Sequence, residues 1–165
     1  MARFFLAIGF TVLVAAMAHA GAFRIPDGDA AAISIEVPDS WHPNLSDDTI
    51  DATSPDRTVF LWLTVEKAAD AAAVKAKAMK SLTRNGMKID QASIKEGAVA
   101  FAGLDSTDTQ YVATENGQPR LVRIRASRLD AKRFIQLVQW GPSAAFDKNA
   151  TSLGNILASV KVVGR

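Results

Sequence analysis

The sequence predicts an α+β domain in which a mainly antiparallel β-sheet is flanked by helices. Three observations support this prediction. Two runs, residues 58–65 and 133–140, are apolar at both even and odd positions, which is typical of strands covered on both faces. The turn signal Asn116-Gly117 joins two extended stretches and indicates a hairpin. Two alanine-containing segments, one central and one C-terminal, carry apolar residues at helical spacing.

The first part of the domain is predicted to contain two strands separated by a long polar segment. Apolar and polar residues alternate over residues 33–37, which indicates a half-buried strand that ends at Pro38. Residues 41–57 contain two prolines and several aspartates, so we predict mostly loop there, with a short strand at residues 49–52. Residues 58–65 form the next strand.

A helix is predicted within residues 68–84. Its apolar residues share one stripe, and its lysines lie off that stripe. The stripe comprises Ala71, Val74, Ala78 and Leu82. Asn85-Gly86 indicates the end of the helix, because glycine readily adopts the left-handed cap conformation.

An antiparallel meander follows, with strands predicted at residues 99–104 and 107–115. The two-residue turn at Asn116-Gly117 sets the register of the hairpin that it closes. The expected cross-strand pairs are Glu115 with Gln118, Val112 with Leu121, and Asp108 with Arg125.

The C-terminal part is predicted to contain one strand and one helix. A turn near residues 130–132 leads into the strand at residues 133–140. Pro142-Ser143 opens the last helix, and Ser143 is expected to cap it. The core-facing stripe of this helix is Phe146, Ala150, Leu153, Leu157 and Val160.

The order of these elements, together with two short motifs, resembles the PsbP-like α/β/α sandwich superfamily. The motifs are VPDSW at residues 37–41 and ILASV at residues 156–160, and the resemblance covers residues 31–163 as a single domain. It implies that Trp41 packs against the end of the first strand and that the last helix covers the sheet. It also implies a binding or assembly role rather than catalysis, since it supplies no catalytic residues.

Residues 1–20 are predicted to be a signal peptide. Arg3 supplies a positive charge, residues 4–18 carry none, and Ala18-His19-Ala20 fits the pattern of a signal peptidase site. Cleavage near Ala20 would leave a short N-terminal extension at residues 21–30 and place the protein in the periplasm or outside the cell. The alternative is an uncleaved membrane anchor, because the uncharged stretch is just long enough to span a bilayer.

Composition narrows the possible partners and sites. There are 19 lysines and arginines against 17 acidic residues, and the net charge of +2 is too small to indicate a nucleic-acid partner. The chain has no cysteine, which excludes disulfides, thiolate metal sites and thiol nucleophiles. An exported domain of this kind is stabilised by packing alone.

The densest charge lies in residues 120–133, where six side chains are basic. Alternation places Arg123 and Arg125 on one face of the hairpin, where two guanidinium groups can clamp a carboxylate, a phosphate or an acidic partner. The alternative is a solvated face on which Asp108 neutralises Arg125 across the strands. Arg120, Arg123 and Arg125 are therefore candidate binding residues, together with Trp41 and His42.

Motifs for catalysis or metal binding are sparse. His42 is the only histidine after residue 20, and it lies near Asp39, Asp47, Asp48 and Asp51. It is a candidate general base or metal ligand, and the alternative is an exposed histidine in an acidic loop. No spacing typical of a metal site, a nucleophile elbow or a phosphate loop is present, so we predict no catalytic residue, no metal and no cofactor.

The aromatic residues Phe60, Trp62 and Trp140 lie in the two predicted strands that are apolar at both even and odd positions, so we expect them in the core. The alternative is that one of them lines an apolar ligand pocket beside Tyr111.

The sequence favours an exported, periplasmic, non-enzymatic accessory or binding protein that engages a protein partner or a small anionic ligand. The alternative is a small periplasmic hydrolase centred on His42 and the neighbouring aspartates. Contact with a membrane is expected only if the signal peptide is retained.

Overall fold

A computed structural model describes residues 20–26 and 31–163 of the chain. The predicted signal peptide lies outside the described residues except for Ala20. The described residues form a seven-stranded antiparallel sheet, a three-stranded sheet and three helices, which confirms the predicted α+β class. The strands of the large sheet run in the order β3-β4-β5-β9-β8-β7-β6, and those of the small sheet in the order β1-β2-β10.

The elements have the following bounds. The strands are β1 Ala20–Ile25, β2 Ile33–Pro38, β3 Asn44–Ser46, β4 Thr49–Thr53, β5 Phe60–Lys67, β6 Met87–Phe101, β7 Leu104–Glu115, β8 Gln118–Arg128, β9 Arg133–Gly141 and β10 Lys161–Val162. The helices are α1 Ala71–Arg84, α2 Ser143–Lys148 and α3 Ala150–Ala158, and a 3-10 turn covers Asp39–Trp41.

Strand β1 was not predicted from the sequence. It pairs antiparallel with β2 from Ala20 opposite Pro38 to Ile25 opposite Ile33. Its six residues include only two large apolar side chains, Phe23 and Ile25, and so provide a weak strand signal. The pairing turns β2 into the central strand of the small sheet, with β10 on its other side.

Helix α1 forms as its stripe predicts, and its ends have identifiable causes. The side chain of Asp70 accepts a hydrogen bond from the backbone N–H of Ala73 at 2.8 Å, which caps the N-terminus. At the other end Gly86 adopts a φ of +88°, as expected for the residue after a helix. Three of the four stripe residues are buried: Val74, Ala78 and Leu82.

The meander confirms the predicted register and corrects one strand. The three expected pairs across the Asn116-Gly117 turn are all present. The strand predicted at residues 99–104 is wrong at its end, because Ala102 and Gly103 adopt positive φ values of 55° and 73° and form a hairpin turn. The strand before that turn, β6, extends back to Met87. Most of its residues are exposed, and its polar residues occur at both even and odd positions, so the sequence carries no apolar alternation that would indicate a long edge strand.

The predicted last helix is two helices that break at Asn149. Its backbone N–H and its side-chain amide both donate to the carbonyl of Ala145, which ends α2. The predicted Ser143 cap is wrong, since Pro142 occupies the cap position and no side-chain cap bond forms. The break also shifts the stripe, so that Ala150 is exposed and Ile156 is buried.

The large sheet has a covering layer on each face. Helix α1 packs on β6, β8 and β9 on one face, with Tyr111, Val122 and Ile124 beneath it. The small sheet and α3 cover the other face, where the larger of the two main hydrophobic clusters lies. Because α1 covers only part of its face, strands β4 and β5 are left open beside it. Among the described residues, no helix is long and apolar enough to cross a membrane.

Candidate functional site

Two of the predicted binding residues, Arg123 and Arg125, share one face of the sheet with Asp108. Arg125 donates to Asp108 Oδ1 from Nε at 3.1 Å, and its Nη2 lies 3.0 Å from the same oxygen. The guanidinium of Arg125 also stacks over Phe101, 5.3 Å from the ring centre. The predicted neutralisation of Arg125 by Asp108 is therefore confirmed. The two arginines that could bind an external carboxylate already contact a carboxylate of their own chain.

Arg120 does not join this pair. It lies opposite Ala113, in register with the residues that face α1, and so projects to the other side of the sheet. Its Nε donates to Glu115 at 2.9 Å. The structure thus separates the three candidate arginines into two sites, each with an acidic partner.

Trp41 and His42 are neighbours in sequence with opposite environments. Trp41 is 0% exposed, and its Nε1 donates to Ser152 Oγ of α3 at 2.7 Å. It therefore packs the end of β2 as the resemblance implies. His42 follows it in the left-handed conformation, with a φ of 47°, and is exposed. No side-chain hydrogen bond or ion pair of His42 forms within residues 20–26 and 31–163, and no three metal-binding side chains gather there.

The part of the sheet left open beside α1 forms a groove of about 380 Å³. One wall comes from the last two turns of α1, and the other from β4. The floor is formed by β5 and β9. The lining residues used below are Asp51, Trp62, Lys77, Lys80, Arg84 and Gln136.

The aromatic side chain in the floor of the groove is Trp62, which is held in place by a hydrogen bond and by contact with neighbouring aromatic rings. Trp62 donates from Nε1 to Gln136 Oε1 at 3.3 Å, and Gln136 in turn donates from Nε2 to the Val74 carbonyl of α1 at 2.7 Å. Trp140 makes an edge contact with Trp62 at 5.6 Å and stacks on Phe60 at 5.2 Å. These three aromatic side chains are half-buried rather than fully enclosed. A fixed, partly open aromatic surface is suited to contact with the apolar body of a ligand.

The walls of the groove differ in charge. On α1, Lys77 pairs with Glu66, whereas Lys80 and Arg84 are exposed and form no ion pair within the described part of the chain. On the opposite wall, burial raises the pKa of Asp51, and a hydrogen bond with Asn44 partly offsets that rise. The groove therefore has two cations without an ion-pair partner on its α1 wall, and the carboxyl group of Asp51 on its β4 wall.

The sequence alone does not predict this groove. It indicates only that the lysines of α1 lie off the apolar stripe, and it predicts Trp62 in the core or, as the alternative, one aromatic residue in an apolar pocket beside Tyr111. The residues come from β4, β5, α1 and β9, so their proximity depends on sheet order rather than on any local motif. One available signal was the spacing of Lys77, Lys80 and Arg84, which places three cations on the same side of a helix.

No family model matches the sequence, and no curated protein is similar to it. Solved structures do match its fold. Cyanobacterial PsbP from Synechocystis aligns with a TM-score of 0.59 and 10% identity over 93% of this chain and 98% of its own. LpqN of Mycobacterium tuberculosis, described as involved in cell envelope biogenesis, aligns with a TM-score of 0.52 and 16% identity over 87% of this chain and 91% of its own. The Ran-binding protein Mog1p of Saccharomyces cerevisiae aligns with a TM-score of 0.53 and 13% identity over 88% of this chain and 96% of its own.

A further match, to a Bacteroides thetaiotaomicron protein, has a TM-score of 0.56 and 14% identity and covers 86% of this chain but only 47% of that one. At these identities the matches show the fold alone. The chain has the PsbP-like fold, as its element order and motifs indicate.

Proposed function

We propose that this protein is an exported, non-enzymatic accessory protein that binds an anionic partner in the groove between α1 and strands β4 and β5. One observation carries the proposal: Lys80 and Arg84 lie beside the aromatic floor at Trp62 without an acidic partner among the described residues. A groove of about 380 Å³ is within the usual size range of small-molecule sites.

The partner that fits this groove has an apolar or aromatic body and one acidic group. The body packs on Trp62, and the acidic group pairs with Lys80 or Arg84, where a charge-assisted hydrogen bond is about twice as strong as a neutral one. Such chemistry is available from a small organic acid or from an acidic segment of a protein. Two fold neighbours, one Ran-binding and one involved in cell envelope biogenesis, support a binding role.

A pair of matched probes tests this proposal. The dye 8-anilinonaphthalene-1-sulfonate has an aromatic body and one negative charge, and N-phenyl-1-naphthylamine has the same body without the charge. We expect the sulfonate to bind about tenfold more tightly, because one ion pair contributes about 1.4 kcal/mol. Fluorescence titration measures both affinities. Equal affinity for the two probes would contradict an anion-selective groove.

Export is part of the proposal and has its own test. Cleavage after Ala20 keeps the β1–β2 pairs from Gly21 opposite Val37 to Ile25 opposite Ile33. The folded domain therefore retains its edge strand. Mass spectrometry of the protein recovered from the periplasm of a bacterial host should identify a chain that starts at Gly21. Recovery of a chain with an intact N-terminus in the membrane fraction would show an anchor instead.

A further inference from the structure

A second candidate site lies on the face of the sheet that is opposite the groove. Arg123 on β8 and Gln139 on β9 are directly opposed in the register of those strands. Gln139 is 2% exposed, and its Nε2 has no acceptor among the described residues. The Nε of Arg123 is also buried without an acceptor there, although the guanidinium end of the side chain is partly exposed. Two unpartnered donors therefore stand on adjacent strands.

The neighbouring carboxylate does not satisfy these donors. Asp108 Oδ1 is taken by Arg125, and Asp108 Oδ2 accepts from Gln110 Nε2 at 3.3 Å. Arg123 approaches Asp108 only through Nη2, at 3.6 Å, which is too long for a hydrogen bond. Two guanidinium groups thus share one carboxylate, with Arg125 hydrogen-bonded to it and Arg123 in a longer ion pair, which leaves one net positive charge.

Buried donors without an acceptor are rare in folded proteins, because each has lost its hydrogen bonds to water. When such donors persist, they are candidates for contact with a ligand. The ligand here must accept two hydrogen bonds and balance one positive charge. A carboxylate does both, since it has two acceptor oxygens and no donor. The burial of Gln139 requires that the carboxylate be small or stand at the tip of a side chain.

We propose that Arg123 Nε and Gln139 Nε2 bind a carboxylate, at a site independent of the α1 groove. The carboxylate is supplied by a small free acid or by an acidic side chain of a protein partner. Either source presents the same two oxygens to the same donors, and the site needs no catalytic group.

The test is a titration of the isotope-labelled protein with acetate, followed through the NMR signals of the Arg123 Nε–H and the Gln139 side-chain amide. Acetamide, the neutral isostere, is the matched control. We expect both signals to shift and saturate at millimolar acetate, and to remain unchanged in acetamide. N-acetyl-aspartate amide then identifies the source: shifts with this compound indicate that a protein side chain can reach the site, and shifts with acetate alone indicate a small free acid.

Variants separate binding from packing. Gln139→Leu replaces an unsatisfied amide with an apolar side chain, so we expect it to raise Tm by about 3 °C without acetate while abolishing the acetate response. Arg123→Lys keeps the charge but removes the Nε donor, and should weaken acetate binding about tenfold. Arg120→Gln, on the other face, should leave binding unchanged. The proposal fails if acetate moves neither signal, if acetamide acts equally, or if both donors contact only a long-lived internal water that acetate does not displace.

Discussion

Replacement of Trp41 by alanine is expected to lower the free energy of unfolding by about 3–5 kcal/mol, the usual cost of truncating a large buried aromatic side chain. Trp41 is fully buried at the end of β2 and belongs to the larger hydrophobic cluster. Its indole also joins the 3-10 turn to α3 through the bond to Ser152. The substitution therefore creates a cavity and breaks a link between two elements, and urea denaturation measures the loss.

The matched variant is Trp41→Phe, which keeps most of the ring volume but removes the Nε1 donor. We expect it to cost about 1–2 kcal/mol, from the lost hydrogen bond and a smaller cavity. A Trp41→Ala protein that unfolds at the urea concentration of the original would show that Trp41 is not part of the core. It would then be available as a binding residue.

The double substitution Lys80→Glu with Arg84→Glu is expected to weaken binding of the anionic probe about a hundredfold, since one ion pair of about 1.4 kcal/mol is lost and a repulsion of similar size replaces it. Both side chains lie on the wall of the groove without an acidic partner within the described residues. Glutamate is a good helix former, so α1 should persist, and circular dichroism checks this. Arg84 lies in the last turn of α1, where its positive charge interacts favourably with the helix dipole. Loss of that interaction lowers the free energy of unfolding by only about 0.3–1 kcal/mol.

The control has the same change in net charge outside the groove. Lys95 on β6 and Lys161 on β10 are exposed, form no ion pair within the described part of the chain and do not line the groove. Lys95→Glu with Lys161→Glu should leave probe affinity within about twofold, because salt screens the interaction between the probe and exposed charges outside its site. If both double variants lose affinity equally, the effect comes from net charge, and the assignment of the groove is wrong.

Elements that a local turn motif determines can be predicted from the sequence, and elements without an apolar pattern cannot. The β7–β8 register was predictable because two residues, Asn116 and Gly117, determine the turn and every pair then follows. The contact between Asp108 and Arg125 followed from the same register. Strand β6 was not predictable, because it is an exposed edge strand whose charged residues occupy both even and odd positions. It therefore lacks the alternation of apolar and polar residues that indicates a strand.

The candidate groove was unpredictable for a different reason. Trp62 has the sequence context of a core residue, and only the limited width of α1 leaves it half-buried. Likewise, nothing local distinguishes Arg123 from Arg125, although one is neutralised by Asp108 and the other retains an unpartnered Nε. Those differences arise from side-chain geometry between strands, which residue spacing does not encode.

The most direct test of an anion-binding groove is to locate the anionic probe on the isotope-labelled protein by NMR. The central claim predicts that 8-anilinonaphthalene-1-sulfonate shifts the indole N–H signal of Trp62 and the backbone amides of Lys80, Ser81 and Arg84, with one common saturation curve. An unchanged Trp62 signal, with the largest shifts near His42 or elsewhere outside the groove, would contradict it.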